Sequence, residues 1–277
     1  MVEEAATDVI AAAQAAGTWY ARAVTSPSER NAEAVRGLSF GSAADQYERY
    51  RLGYPDELVD AVLQYAERPV RSALEVGAGT GKATRLFASR GIEVTALEPD
   101  PDMARVLEWT TRGIPVESVL STFENFDDGR RFDLLYAAAA WHWTESTSRW
   151  ARAVELLVPG GVLALFGSMG EPQDPVLRAA VEDVEKQVLP DDDQSVVYPW
   201  SIEDMAAADG LTDSAQRDLP CVTTTTAADF TGRLCTVSAY LMLSAEVRAE
   251  ALHRINAVLP DRFDIDATVQ LSLARRP

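Results

Sequence analysis

Several residue types are scarce in this sequence, and each scarcity argues against a class of protein. Two cysteines, Cys221 and Cys235, are too few for a disulfide framework, so we interpret them as reduced thiols in or near the core. No apolar run approaches the roughly 20 residues of a membrane-spanning helix, and the acidic start lacks the basic segment of a secretion signal. These features predict a cytoplasmic protein without a membrane partner.

Basic residues are also few. Lysine and arginine total 25 against 43 aspartates and glutamates, which gives a formal net charge of −18 at pH 7. Because a phosphate backbone is bound by clustered lysine and arginine, this charge argues against a nucleic-acid partner. The hydrophobic content of 47% and the length of 277 residues are typical of a globular protein with one large domain or a domain with a sizeable insertion.

The main motif is the glycine-rich stretch of residues 75–81, Glu-Val-Gly-Ala-Gly-Thr-Gly. It follows a short apolar run at residues 72–74 and precedes a predicted helix over residues 83–90. Strand, glycine turn and helix in this order are typical of a site where a nucleotide lies over the backbone. Glycine is needed there because the turn is tight and a Cβ would collide with the approaching ligand.

Spacing separates the glycine motifs that could stand here. A phosphate-binding P-loop requires a glycine at the place of Val76 and a hydroxyl at the place of Ala83. A dinucleotide fingerprint requires its third glycine where Lys82 stands. The remaining pattern resembles the first motif of class I methyltransferases that use S-adenosylmethionine. This resemblance implies cofactor contacts from Glu75, Gly77, Ala78, Gly79, Thr80 and Gly81.

A second predicted strand, residues 92–98, ends in Glu98, which lies 21 residues after Gly77. In a βαβ unit this spacing brings an acid to the ribose hydroxyls of a bound nucleoside. We also predict cofactor contacts from Pro99 and from Met103 near the start of the next helix. Met103 lies against the adenine in this interpretation, and a plain core methionine is the alternative. The same resemblance implies that Ser121, Thr122 and Phe123, after a short third strand, bracket the adenine.

A buried fourth strand, residues 132–140, leads into Trp141, His142 and Trp143. Ligands of open α/β sheets lie beyond the carboxyl ends of the strands, so Ala138 and His142 are predicted to lie at the site. A neutral His142 can take a proton from a hydroxyl acceptor during methyl transfer. A histidine that holds a loop through a backbone hydrogen bond is the alternative interpretation.

Aromatic residues and arginine alternate in residues 40–55, just before a predicted helix over residues 56–66. Such a segment can fold over a pocket, with Arg51 meeting a carboxylate. The segment resembles the Tyr-x-x-Tyr-Arg-x-Gly-Tyr-Pro sequence of a subgroup of small-molecule methyltransferases. This implies that Tyr47 and Arg51 lie over the methionine end of the cofactor. The candidates for an apolar acceptor site are Tyr54, Trp143, Tyr198, Trp200 and Tyr240.

The resemblance to class I methyltransferases extends over residues 40–167, and Pro-Gly-Gly at residues 159–161 before a fifth strand at 162–167 belongs to it. It implies an α/β fold, a Rossmann-like doubly wound sheet of seven mostly parallel strands in the order 3-2-1-4-5-7-6 with the last strand antiparallel. A sixth strand is predicted near residues 215–223 and the last near 269–274. We predict a helical N-terminal extension at residues 1–36 and a methyltransferase domain at 37–277. Within that domain, residues 168–265 should cover the substrate side.

The resemblance is strongest to soluble enzymes that act on small molecules, including the trans-aconitate methyltransferase type. It implies S-adenosylmethionine as cofactor, no metal, and methyl transfer by in-line displacement to a hydroxyl or carboxylate of a small-molecule substrate. We expect a monomer or homodimer. Two alternatives remain: a protein that binds S-adenosylmethionine without methyl transfer, as a regulatory subunit or for other chemistry, and an NAD-dependent oxidoreductase, which Lys82 disfavours.

Overall fold

The structure is a computed structural model that describes residues 40–189 and 201–277. The predicted N-terminal extension at residues 1–36 lies outside the described residues, as do Tyr198 and Trp200. None of the helices within the described ranges combines the length and the apolarity that crossing a membrane requires.

The strands of the described ranges are numbered in chain order. They are β1 (Ser72–Val76), β2 (Glu93–Glu98), β3 (Val116–Leu120), β4 (Phe132–Ala138), β5 (Leu157–Gly167), β6 (Glu171–Pro172), β7 (Thr212–Leu219), β8 (Val222–Thr226), β9 (Arg262–Asp266) and β10 (Val269–Arg275).

The helices are numbered in the same way, and two short 3₁₀ turns, Gly41–Ala43 and Trp141–Trp143, are left without numbers. The helices are α1 (Ala44–Tyr50), α2 (Asp56–Ala66), α3 (Lys82–Ala88), α4 (Pro101–Thr110), α5 (Arg149–Leu156), α6 (Pro175–Val188), α7 (Ile202–Ala206), α8 (Ala227–Leu234), α9 (Ser238–Leu241) and α10 (Ala245–Val258).

The central sheet has seven strands in the order β3-β2-β1-β4-β5-β10-β7. β1 pairs in parallel with β2 on one side and with β4 on the other, and β10 runs antiparallel between β5 and β7. The predicted fold class, including the strand order and the antiparallel last strand, is confirmed. The strand order switches direction between β1 and β4, so the glycine turn that follows β1 lies at the position where open α/β sheets bind ligands.

Apolar side chains on both faces of the central strands explain why helices cover the sheet on both sides. In β4, Leu134 and Tyr136 point to one face while Leu135 and Ala137 point to the other, and all four are fully buried. Helices α2 and α3 pack on the first face, and α5 and α7 pack on the second. This three-layer arrangement is typical of parallel sheets, whose strands are buried on both faces.

A second unit follows β5 and has its own apolar core. Its antiparallel sheet has the order β6-β9-β8, and its core joins side chains of α6, α8 and α10 such as Val184, Phe230 and Ile255. The sequence predicted helices in this region but no second sheet.

The single strand predicted over residues 215–223 is wrong, because the chain forms two strands there. Pro220 and Cys221 separate β7 in the central sheet from β8 in the second sheet. Proline has no N–H to donate to a ladder, so a strand is readily interrupted at this residue. The change of sheet at this point ties the second unit to the edge of the first.

Candidate active site

The turn between β1 and α3 depends on its glycines. Gly77, Gly79 and Gly81 all have positive φ, at 68°, 58° and 89°, a region that other residues adopt only with strain. A Cβ on Gly77 would also lie 2.5 Å from the Cβ of Ala140, which follows β4. The turn therefore packs directly on the chain beyond β4, with no side chain between them.

Glu98 lies at the carboxyl end of β2, beside this turn. Its Oε2 accepts a hydrogen bond from the backbone N–H of Gly79 at 2.7 Å, and its Oε1 accepts one from the N–H of Asp100 at 2.9 Å. The side chain is buried, and burial raises the pKa of the carboxyl to about 7 against the opposing effect of the two hydrogen bonds. Each carboxylate oxygen has a second lone pair that can accept a further hydrogen bond.

Glu75, at the end of β1, is completely buried. Its Oε2 accepts hydrogen bonds from the hydroxyls of Thr84 at 2.5 Å and Tyr136 at 3.0 Å, whereas its Oε1 has no hydrogen-bond partner among the described residues. Burial raises the pKa of Glu75 to about 8, although both hydroxyl hydrogen bonds lower it. A buried carboxyl oxygen without a donor is suited to a cationic or N–H-bearing ligand.

A cavity of about 50 Å³ lies between the glycine turn and the ends of the neighbouring strands. Many of the predicted site residues line it, namely Tyr47, Arg51, Tyr54, Glu75, Gly77, Ala78, Thr80 and Ala138. Its wall also contains residues that the sequence did not indicate, namely Leu52, Lys82, Ala83, Ala139, Ser168 and Arg233. The sequence contains no motif around Ser168 or Arg233, and only the fold brings them to this place.

Helix α1 covers the glycine turn through Glu48, a residue that no sequence motif indicates. The Glu48 carboxylate accepts a hydrogen bond from the Thr80 hydroxyl at 2.6 Å and pairs with Arg85 at 2.8 Å, and its carbonyl oxygen accepts from Lys82 Nζ at 2.7 Å. The cavity is smaller than the about 300–1,000 Å³ of most ligand sites, and Tyr47 of α1 forms part of its wall.

Tyr47 of α1 and Met103 of α4 lie in the same apolar cluster. The cluster also contains Phe40, and the Phe40 ring contacts the Tyr47 ring edge-on at 6.1 Å. The Phe40 ring makes a similar contact with Trp143 at 5.9 Å. The half-buried Pro99 precedes Asp100, whose carboxylate caps α4 by accepting from the N–H of Met103.

Other predicted site residues lie in the core or outside the cavity wall. Phe123 is buried against Trp141, with ring centroids 5.6 Å apart, so an adenine contact in this segment would come from the main chain of residues 121–123. The ring of His142 lies 4.2 Å from that of Trp143 in the turn after β4. Tyr240 is buried in the second unit and donates a hydrogen bond to Glu185 Oε1 at 2.7 Å, so the structure does not bring it to the cavity.

Ala139 joins β4 to the turn at Trp141–Trp143 and has a strained backbone conformation. Its φ is 53°, and it lines the cavity. A non-glycine residue in the left-handed region costs roughly 1–2 kcal/mol, and such residues are concentrated at functional sites.

The sequence was compared with known families and curated proteins. Residues 74–165 match the model of a family described as a methyltransferase domain. An uncharacterized methyltransferase of Mycobacterium tuberculosis is 40% identical over 130 residues, which are 46% of this chain and 51% of that protein. The malonyl-[acyl-carrier protein] O-methyltransferase of Salmonella typhimurium is 31% identical over 163 residues, which are 57% of this chain and 62% of that enzyme. The chain thus spans about half the length of the mycobacterial relative.

Solved structures share the fold. A structure from Anaeromyxobacter dehalogenans, assigned as a type II methyltransferase, has a TM-score of 0.57 and 21% identity over 82% of this chain and 97% of that chain. Phosphoethanolamine N-methyltransferase 2 of Haemonchus contortus, in complex with S-adenosyl-L-methionine, has a TM-score of 0.51 and 16% identity over 86% of this chain and 57% of that chain. At these identities the likeness shows a common fold.

Proposed function

Residues 74–165 match a methyltransferase-domain family, and from this premise we propose that the protein is a class I S-adenosylmethionine-dependent methyltransferase that transfers a methyl group to a small-molecule acceptor. The acceptor atom is proposed to be an oxygen of a hydroxyl or carboxylate group. When bound, S-adenosylmethionine supplies a methyl group on a positively charged sulfur, which is already activated for displacement. The protein therefore has mainly to bind and align the cofactor and the acceptor and to exclude water. It has less need to activate the methyl group.

The chemistry of the donor set suits this cofactor. Glu98 is proposed to accept hydrogen bonds from the ribose hydroxyls, using the lone pairs that its bonds to Gly79 and Asp100 leave over. The unpartnered Oε1 of Glu75 is proposed to accept from the ammonium group of the methionine part, and Arg51 to bind the carboxylate. The unsubstituted backbone of residues 77–81 allows the nucleoside to approach the main chain.

The remaining predicted contacts have supporting roles in this proposal. Met103 and the main chain of residues 121–123 would flank the adenine, and Tyr54 and Trp143 would border the acceptor. Closure of α1 over the loop would then exclude water from the reacting groups. If the acceptor is a hydroxyl, His142 is the proposed proton acceptor, and a carboxylate acceptor needs none.

The placement of Glu98 is the observation that carries the proposal, because two backbone N–H groups fix its carboxylate at the carboxyl edge of the sheet. Calorimetry with S-adenosylhomocysteine tests it. The wild-type protein should bind this ligand and not NAD, and Glu98→Gln should weaken binding by about tenfold or more, the effect expected for a charged hydrogen bond.

Glu93→Gln is the matched control, since Glu93 is an exposed acid at the opposite end of the same strand. The affinity of this variant for S-adenosylhomocysteine should equal that of wild type. Tighter binding of NAD than of S-adenosylhomocysteine, or equal affinities for wild type and Glu98→Gln, would contradict the proposal. Transfer of a labelled methyl group to a panel of hydroxy and carboxylic acids then separates an enzyme from a protein that only binds the cofactor.

A further inference from the structure

Two arginines, Arg51 and Arg233, line the cavity. The proposed function uses one of them, Arg51, for the carboxylate of the methionine part. Arg233 belongs to α8 in the second unit and has no role in that proposal. The methionine part carries a single carboxylate, so the second guanidinium requires another explanation.

Thr236 connects the two arginines. Arg51 donates from Nε to the Thr236 hydroxyl at 2.9 Å and from a terminal nitrogen to the Thr236 carbonyl at 2.8 Å. The same hydroxyl donates to the carbonyl oxygen of Arg233 at 2.6 Å. Thr236 is fully buried, so this connection fixes the Arg51 guanidinium against the main chain of Arg233.

The packing of α8 on α1 reinforces this arrangement. A Cβ on Gly232 would lie 2.8 Å from the ring of Tyr50, so the two helices touch with no space for a side chain. The glycine before Arg233 therefore allows α8 to approach the helix that ends at Tyr50. This close contact brings Arg233 to the wall that Arg51 also forms.

Arg233 is held near the carboxyl end of β5, at the edge where parallel sheets bind their ligands. Only 6% of the residue is exposed, and its guanidinium donates to the carbonyl oxygen of Met169 at 2.7 Å and to that of Gly170. These contacts follow directly after β5 and orient the planar group rigidly. A preorganised guanidinium binds a carboxylate with two parallel hydrogen bonds, at little further entropic cost.

Basic residues outnumber acidic ones in the cavity wall, although the chain as a whole is strongly acidic. The charged residues of the wall are Arg51, Lys82 and Arg233 against Glu75, and Lys82 already pairs with the Glu48 carboxylate at 3.7 Å. Among the described residues no carboxylate lies within ion-pair distance of Arg51. Clefts lined by charge of one sign concentrate ligands of the opposite sign.

We propose that the methyl acceptor is a small carboxylate and that Arg233 binds its anionic group, while Arg51 binds the carboxylate of the cofactor. This inference rests on the proposed function and adds the chemical class of the acceptor. Arg233 is in this proposal a specificity-determining residue that contacts the substrate.

The test measures binding of simple acids to protein that is saturated with S-adenosylhomocysteine. Hexanoate, glutarate and benzoate are titrated by calorimetry, each beside its neutral amide. The carboxylates should bind, and the amides should bind about tenfold more weakly or not at all. Arg233→Gln should abolish this preference, and Arg233→Lys should retain part of it.

Arg178→Gln is the matched control. Arg178 also donates to a carbonyl oxygen in the second unit, that of Pro172 at 3.1 Å, but it does not line the cavity. It should leave the preference for carboxylates unchanged. The proposal is overturned if amides bind wild type as tightly as the acids, if Arg233→Gln retains the preference, or if no acid of the panel binds.

A comparison of S-adenosylhomocysteine with 5′-methylthioadenosine shows whether Arg233 binds the carboxylate of the acceptor or that of the cofactor. 5′-Methylthioadenosine lacks the amino-acid part of S-adenosylhomocysteine. Arg233→Gln should bind both nucleosides within about twofold of wild type, which also shows that the variant is folded. Selective loss of S-adenosylhomocysteine would assign Arg233 to the cofactor and overturn the proposal. Failure of the proposed function itself is recognised differently, since wild type would then bind neither nucleoside.

Discussion

The Glu48 carboxylate accepts a hydrogen bond from the hydroxyl of Thr80 at 2.6 Å, and this contact joins the covering helix α1 to the glycine turn beneath it. Arg85 and Lys82 donate to the same residue from α3. Because the cavity below has a volume of only about 50 Å³, we expect these three contacts to loosen when a nucleoside enters.

Replacing Glu48 by alanine should therefore loosen α1 without unfolding the sheet. We expect the backbone amides of Ala44–Tyr50 to exchange with deuterium about tenfold faster, because charged hydrogen bonds to a partly buried side chain are worth roughly 1–2 kcal/mol. Hydrogen exchange monitored by mass spectrometry measures this, with the amides of β1 and β4 as internal reference.

Asp45→Ala is the control for this prediction, since Asp45 lies on the same helix and forms an exposed ion pair with Arg105 at 3.5 Å. Such pairs contribute little to stability. Equal acceleration in Asp45→Ala and Glu48→Ala would show that Glu48 has no special role in holding α1.

Gly77→Ala should destabilise the protein far more than Gly129→Ala, although the two glycines have similar positive φ. Gly77 and Gly129 have φ of 68° and 74°, but a Cβ at Gly129 meets nothing within 4 Å, whereas one at Gly77 meets Ala140 at 2.5 Å. We expect a loss of about 1–2 kcal/mol for Gly129→Ala from the left-handed conformation alone.

For Gly77→Ala the overlap with Ala140 adds to this strain, and overpacking typically costs a further 1–3 kcal/mol. Urea unfolding measures the two losses, and calorimetry should show that only Gly77→Ala weakens binding of S-adenosylhomocysteine. Similar stability losses in the two variants would mean that the turn can move away from β4 at no cost.

Features that depend on local spacing could be predicted from the sequence, and those that depend on distant contacts could not. The glycine turn and Glu98 follow from spacing within a single βαβ unit, and the structure places both at the edge where β1 and β2 end. Arg51 and Thr236 are 185 residues apart, and no periodicity relates them. The position of Arg233 likewise depends on the packing of the second unit.

The same distinction applies to Tyr240 and Phe123. The sequence does not show whether an aromatic ring belongs to the core or to a binding site. Only the tertiary structure shows that the rings of Tyr240 and Phe123 are buried. The sequence predicts one strand where β7 and β8 form two, because β7 contains few residues of high strand propensity. The assignment of each strand to its own sheet depends on its pairing with β10 or β9.

Glu75 should make the protein less stable as the pH rises from about 4.5 to about 8. The folded state raises the pKa of this carboxyl from 4.5 to about 8, so it retains a proton that the unfolded chain has already released. The folded state binds more protons in this window, and the free energy of unfolding therefore falls with pH, by up to about 1.4 kcal/mol per pH unit. Below 4.5 and above 8 this contribution is constant.

Glu75→Gln, which resembles the protonated carboxyl, removes this dependence. Glu98 contributes a similar effect up to about pH 7, so the informative quantity is the difference in unfolding free energy between wild type and Glu75→Gln. Urea unfolding at pH 5, 6, 7 and 8 should show wild type losing stability relative to the variant. A constant difference across this range would mean that Glu75 is ionised in the folded protein.

The role of His142 depends on the chemical nature of the acceptor. Its ring packs beside Trp143 in the turn after β4, and it is not among the residues that line the cavity. A carboxylate oxygen can accept a methyl group without losing a proton, so for such an acceptor we expect His142→Asn to lower kcat by less than about tenfold. A general base contributes about 10²–10⁴-fold, and its removal would also abolish the acidic limb of the pH–rate profile. Measurement of kcat from pH 5.5 to 8.5, beside the affinity for S-adenosylhomocysteine, separates the two roles. A loss above a hundredfold with unchanged affinity would make His142 the base and the acceptor a hydroxyl.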